Sequence, residues 1–287
     1  MPSLTDAWAR QVTSREEFPE PFWPFIDFDR PLPYLIYSPP DAWGNRKVNA
    51  RLTVLSEQGV TVLENTPDGV RSSEWLFDEI DYVEQGAVHL YSWLRLSGVA
   101  GGWPASVQVE YNAVVAPLFT RVVQAVRRSW TGTGNASLAQ EQAKLAGLAA
   151  VDYKFWSYAR DSLLPGERML GQVYQPEIDV PWLLFFQRRV VPAYVSVLTD
   201  KELICISDDG SDGNTGRYGI VHRYVPLTKI KDWQLIPAIG EQTGIWRLQL
   251  TGEGIALCFS APVQDFLLEL ADLLEEARGK KASLSEH

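Results

Sequence analysis

The chain has 287 residues, 46% of them hydrophobic and 22% charged, with eleven tryptophans; this composition excludes a disordered, collagenous or disulfide-scaffold protein. Its 26 basic and 36 acidic residues leave a net charge of −10, which gives no electrostatic support to a general affinity for nucleic acid or for an anionic membrane. At about 150 residues per domain the length suggests two domains.

Residues 1–30 begin MPSLTDAWARQVTSREEF, which has neither a basic start nor a continuous apolar stretch and so does not read as a secretory signal. No run approaches the ~18 consecutive apolar residues of a membrane span, and the expected location is the cytoplasm. The following FPEPFWPFIDFDRPLP is too rich in proline for a regular helix and is expected as an extended arm laid over the first domain. Its other reading is a proline-rich ligand for a partner's aromatic groove.

From residue 31 onward the chain repeats itself once. RLTVLSEQGVTVL at 51–63 matches YVSVLTDKELICI at 194–206, each an alternating apolar hairpin with a polar turn. Tyr37-Ser38-Pro39 stands before the first as Tyr174-Gln175-Pro176 stands before the second. Phe77-Asp78-Glu79-Ile80 then matches Leu227-Thr228-Lys229-Ile230, and Val109-Glu110-Tyr111-Asn112 matches Leu257-Cys258-Phe259-Ser260. Each copy ends in an amphipathic helix. Asn112 is the expected cap of the first, with Val114, Val115, Leu118, Phe119, Val122, Val123 and Val126 inward. Ser260 is the expected cap of the second, with Val263, Phe266, Leu267, Leu270, Leu273, Leu274 and Ala277 inward. Between the copies, TGTGNAS reads as a turn-rich segment and 138–163 as one connecting helix. The expected organisation is therefore an arm at 1–30, a first domain at 31–129, a linker and helix at 130–164, a second domain at 165–279 and a tail at 280–287.

Two copies of about seven strands closed by a C-terminal helix resemble the pleckstrin-homology (PH) superfold, which includes the GRAM-type lipid-associated domains. The hairpins LTVLSEQGVTVL and VSVLTDKELICI, followed by FDEIDYVEQG and by Tyr224-Val225-Pro226-Leu227-Thr228-Lys229-Ile230, are similar to the bacterial PH-like pattern of a "vLTdkgLii" hairpin and an "iPldkI" strand. The resemblance covers 31–129 and 165–279 and departs at Trp75-Leu76-Phe77, which lacks the proline. It implies a mainly β fold with α (α+β): two seven-stranded barrels, each capped by a helix and joined by a helical linker. It also implies binding of proteins, peptides or lipids rather than catalysis, by analogy of fold.

The residues themselves offer little chemistry. His89, His222 and His287 are the only histidines, the first two on expected strands, and no zinc-protease, Cys-x-x-Cys, nucleophile-elbow or phosphate-loop motif occurs. Cys205 and Cys258 lie in apolar alternating segments and read as buried free thiols. The loop from Asp208 to Gly213 imitates part of a calcium site, but Gly210 and Gly219 stand where ligands are needed, so it reads as a hairpin tip. Asp78-Glu79 and Asp81 with Glu84 form carboxylate pairs without a pocket. No catalytic residue, cofactor or metal is expected. Basic groups come in twos, such as Arg188-Arg189, and the hairpin tips expected to face a phosphoinositide are neutral or acidic. The reading is a non-catalytic protein that binds another protein, a peptide or itself. Its alternatives are peripheral lipid recognition of GRAM type and an enzyme with an interdomain site using His89 or His222. Trp93, Trp103, Arg188 and Arg189 are the expected interaction surface.

Overall fold

A computed structural model describes residues 8–43, 46–132, 134–182, 186–208, 219–239 and 243–284, with the main chain alone at 42–43, 46, 180–182, 186–190 and 280–284. The chain is mainly β with helices, and it divides into two compact units, 1–129 and 130–287.

In the first unit β1 (Arg10–Val12), β2 (Tyr34–Ser38), β5 (Arg51–Leu55), β6 (Gly59–Thr66) and β7 (Gly69–Leu76) form one antiparallel sheet in that order, and β3 (Asp41–Trp43) and β4 (Arg46–Val48) make a short ribbon beside it. β8 (Ile80–Val88), β9 (Tyr91–Ala100) and β10 (Trp103–Asn112) follow as an antiparallel meander. The β5–β6 hairpin closes where Ser56 Oγ accepts the amides of Gln58 and Gly59 at 3.2 and 3.1 Å. Gly59 is required there, because a Cβ would stand 2.1 Å from the Trp75 carbonyl oxygen. Helix α1 (Ala116–Thr131) then docks through Phe119, which stacks on Tyr111 with ring centroids 3.9 Å apart, and buries Val122, Val123 and Val126. Asn112 Oδ1 accepts the Val114 amide and so caps the 3-10 turn that leads into α1, as the sequence suggests.

The N-terminal arm is not extended throughout. It gives an edge strand, β1, and a 3-10 segment at Glu20–Phe25 that tolerates Pro21 and Pro24 because its turns are closed by the amides of Phe22 and Ile26, which donate to the Pro19 and Trp23 carbonyls. Phe18, Phe22 and Ile26 are buried against Leu35, Tyr37, Leu52 and Leu63, so the arm supplies the hydrophobic cover of one face of the sheet. Val114, expected inward, is exposed at the start of the helical segment.

The second unit begins with three short helices, α2 (Leu138–Ala143), α3 (Ala146–Val151) and α4 (Tyr153–Ser162), where the sequence predicts one. The break before α4 falls at Asp152, which is extended (φ −151°) and whose Oδ1 accepts the Phe155 amide, so its carboxylate starts a new helix in place of continuing the old one. The four-stranded sheet runs β11 (Met169–Gln175), β14 (Tyr194–Thr199), β15 (Glu202–Ser207) and β16 (Gly219–Pro226), with β12 (Ile178–Trp182) and β13 (Phe186–Val191) as a separate ribbon. A three-stranded meander follows, β17 (Asp232–Ile236), β18 (Gly244–Gln249) and β19 (Ile255–Phe259), and then α5 (Gln264–Leu284). Every residue of β14 is buried; α4, whose Phe155 and Ala159 are buried, packs against β14 and β15, and α5 packs against the neighbouring β11. On α5, Val263 at its entrance and Leu267, Leu270, Ala271 and Leu274 are buried, whereas Phe266, expected inward, is 58% exposed. Ser260 does not cap α5; its hydroxyl donates to Gln175 Oε1 at 3.1 Å.

Neither unit closes into the expected barrel: among the described residues its strands stay in separate sheets. The physical cause is visible in the chain. A 3-10 turn at Phe77–Glu79 in the first unit, between β7 and β8, and one at Leu227–Lys229 in the second, between β16 and β17, interrupt the extended backbone where the chain passes from its first sheet into the meander.

Candidate functional site

The alternating sequences Asp232-Trp233-Gln234 and Arg247-Leu248-Gln249 place apolar residues on one side of the second unit's meander and polar ones on the other. Register puts Asp232 opposite Gln249 and Gln234 opposite Arg247, with Arg247 opposite Ala256 on β19. Leu248 and Ile255 are buried; Asp232, Gln234, Arg247, Gln249 and Ala256 are exposed. Together with Trp233 and Gly254 they line a cleft of about 650 Å³. One wall is held by α5: Trp233 Nε1 donates to Glu275 Oε1 at 2.9 Å, and Arg278 bridges Glu275 Oε1 at 2.5 Å and the Lys231 carbonyl at 2.6 Å. The narrow alanine Ala256 and the glycine Gly254 leave the floor open.

The matching face of the first unit is chemically different. There Arg95 occupies the place of Arg247 and lies opposite Glu84 and Gln108, and its Nε donates to Ser106 Oγ at 3.1 Å. In the second unit Gln234 replaces that glutamate, so Arg247 has amides and an alanine beside it. No other ion pair or hydrogen bond reaches its guanidinium among the described residues. The face can therefore accept an anionic or hydrogen-bonding group of a ligand through a planar guanidinium flanked by two glutamine amides.

The residues singled out in the sequence are dispersed. Trp93 is buried at 8% exposure, its Nε1 donating to Glu84 Oε1 at 2.9 Å and its ring lying against Gly86, so it is a packing residue and not part of a surface. Trp103 is 77% exposed at the tip of the β9–β10 hairpin. Arg188 and Arg189 fall on β13, opposite Val180 and Asp179, and their side chains lie outside the described residues. So does the loop beyond Asp208. Asp208 itself is buried and paired with Lys154. His89 is not on a strand: it takes φ 55° in the turn between β8 and β9.

His222 is on β16, as expected. Its Nδ1 lies 3.2 Å from Ser162 Oγ and 3.4 Å from the Tyr224 hydroxyl, which in turn is 3.3 Å from Ser162 Oγ. The distances suit a nucleophile and base, but Ser162 is buried, at 4% exposure. The trio ties the end of α4 to β16. Glu79 Oε2 accepts the Leu76 amide and secures the turn between sheets, while Glu84 holds Trp93. Cys205 is buried, and burial pushes its thiol up to about 11 despite the nearby Arg223. Among the described residues no group of three His, Cys, Asp or Glu side chains is arranged to hold a metal, and no helix is long and apolar enough to cross a membrane.

The cleft residues were missed in the sequence because each is an ordinary polar strand residue. The signal present was the polar alternation shared by DWQ and WRLQ. No protein-family model matches the chain, and no curated protein matches it.

Proposed function

We propose that the protein is a non-catalytic binding protein built from two PH-like domains, and that it engages a protein or peptide partner, or a second copy of itself, through the β17–β18–β19 cleft. The single observation that carries this reading is the open cleft of about 650 Å³, with Arg247 exposed on its floor and free of a carboxylate partner. The domain assignment is supported by the recurrence, in each unit, of a four-stranded set, a 3-10 turn, a three-stranded meander and a terminal helix. Binding without catalysis is supported by the burial of Ser162 and Tyr224, the two hydroxyls that lie within reach of His222 Nδ1.

The test fills the cleft. Ala256→Trp occupies the floor without touching the core, and Arg247→Glu reverses the charge. Light scattering reads self-association of the purified full chain, and affinity capture followed by crosslink mapping reads a partner. The reading expects a partner or second copy crosslinked at β17–β19 and loss of that complex in both variants. A complex that survives both, or a strictly monomeric protein without a mapped partner, overturns it.

A further inference from the structure

The two units carry the same hairpin in two forms. In the second unit β18 and β19 have six and five residues and are joined by Leu250-Thr251-Gly252-Glu253-Gly254, a polar connection with a charge. In the first, β9 and β10 have ten residues each and turn directly through Gly101-Gly102. Both glycines take positive φ, 58° and 87°, the left-handed conformation that a two-residue hairpin demands. The last pair that β9 makes with β8 is Gly98 with Ile80, so Val99, Ala100, Trp103 and Pro104 continue beyond β8 as a projecting two-stranded tip.

That tip is apolar and uncharged. No charged residue occurs between Arg95 and Glu110. Trp103 is 77% exposed and Pro104 is exposed beside it, while Val99, Ala100 and Ala105 are small or aliphatic. The fold does not require this composition, as the second unit's hairpin shows. A projecting two-stranded tip presents too little area for a standard protein interface of about 800 Å² per partner. An indole with an apolar body and one N–H donor instead suits the boundary between headgroups and acyl chains, where insertion depends on depth and not on contact area.

We propose that the Trp103 hairpin tip is a membrane-contact site that inserts into the interfacial region of a zwitterionic lipid bilayer. The acidic chain then docks without electrostatic attraction, and the contact resists salt. The experiment is co-sedimentation of the full chain with phosphatidylcholine vesicles at low and high salt, with quenching of tryptophan emission by lipids brominated along the acyl chain. Expected are salt-resistant pelleting, quenching in the wild type, and partition weakened by about tenfold or more in Trp103→Ala, with Trp103→Phe retaining part of it. Trp103 packs into no core, and near-ultraviolet circular dichroism verifies that each variant is folded. The proposal is overturned if the wild type does not pellet, or if Trp103→Ala pellets as well as the wild type. It is also overturned by binding restricted to anionic vesicles and lost in high salt, or by Trp103-dependent capture of a protein without vesicle binding.

Discussion

At one strand position the first unit has Arg51 and the second has Tyr194, and the two solve the same packing problem by different chemistry. Arg51 is 11% exposed in its side chain; its Nη1 donates to Glu110 Oε2 at 2.5 Å and to the Gln108 carbonyl at 2.6 Å, and Nη2 lies 3.5 Å from Glu64 Oε1. This charge is buried but surrounded by acceptors, with Glu110 fully covered. In the second unit the places of Arg51 and Glu110 are taken by Tyr194 and Cys258. The Tyr194 hydroxyl is buried without a hydrogen-bond partner, and burial, with Cys205 and Cys258 nearby, pushes its ionisation far upward. A shared strand frame therefore accepts either an ion-pair network or a neutral aromatic–thiol cluster, provided that the buried charges come as a pair.

The outer faces of the two four-stranded sets show a second contrast. Tyr37 of β2 is packed edge-on by Phe22 of the arm, with centroids 6.3 Å apart. Tyr174, its counterpart on β11, is packed by Phe155 of α4 at 5.6 Å and donates to Asp152 Oδ2 at 2.9 Å. A proline-rich irregular segment and a set of short helices thus perform the same burial. What the sheet face requires is apolar area at one place, not a particular secondary structure.

The largest effects come from removing these covers. Phe22→Ala and Phe155→Ala each delete a fully buried ring and are expected to cost about 3–5 kcal/mol in their own unit, read by urea unfolding with probes in each. A loss below ~1 kcal/mol for Phe22→Ala alone would show that the arm is dispensable and break the equivalence.

The Arg51–Tyr194 contrast is sharpened by a pair of variants. Arg51→Ala leaves Glu110 buried without its cation and is expected to cost about 3–5 kcal/mol. Tyr194→Phe removes a hydroxyl that has no partner, and the expected change is between zero and about 1 kcal/mol of stabilisation. Equal destabilisation by both changes would contradict the assignment of a charged network to one unit only.

A smaller effect follows from Glu141 at the root of the second unit's helical cover. Burial alone would raise its carboxyl, but the Lys144 ammonium at 2.6 Å and the Met169 amide at 2.7 Å outweigh it and hold the group below the ordinary carboxylate range. Because the folded value is depressed, the stabilisation is present above the ordinary carboxylate value of 4.5 and is lost as pH falls through the lower folded value. Glu141→Gln should therefore lower stability at neutral pH and flatten the acid limb of the second unit's unfolding curve. An unchanged acid limb would count against this contact.

The smallest effect is kinetic. At pH 8 the Cys205 thiol, raised to about 11 and buried, should resist alkylation until the unit unfolds, so that labelling of the native chain proceeds at Cys258 alone. Mass spectrometry of a time course decides this; native-rate labelling of Cys205 would show that its strand opens.

Much of the frame is legible in the chain itself. The repeat located the hairpins around Leu52 and Val195, and the apolar spacing located Phe119, Val122 and Val126, because burial on one face leaves a periodic trace. The single helix expected at 138–163 failed at Asp152, where a carboxylate competes for a backbone amide in a way that periodicity does not record. Trp93 failed as a surface residue because its partner Glu84 lies on the neighbouring strand. The cleft was illegible for the same reason: Gln234, Arg247 and Ala256 come from three strands, and each is unexceptional alone.

What the sequence by itself determined is local: alternation, helical stripes, turn chemistry, and a net charge of −10 that favours neutral contacts. Only the tertiary structure decided which of these residues meet. It chose which tryptophan is packed and which stands at a projecting tip, which arginine finds a carboxylate and which faces an open cleft. The physical reason is that exposure and pairing depend on register between strands distant in the chain, and that register is set by the collective burial of a core that no single segment contains.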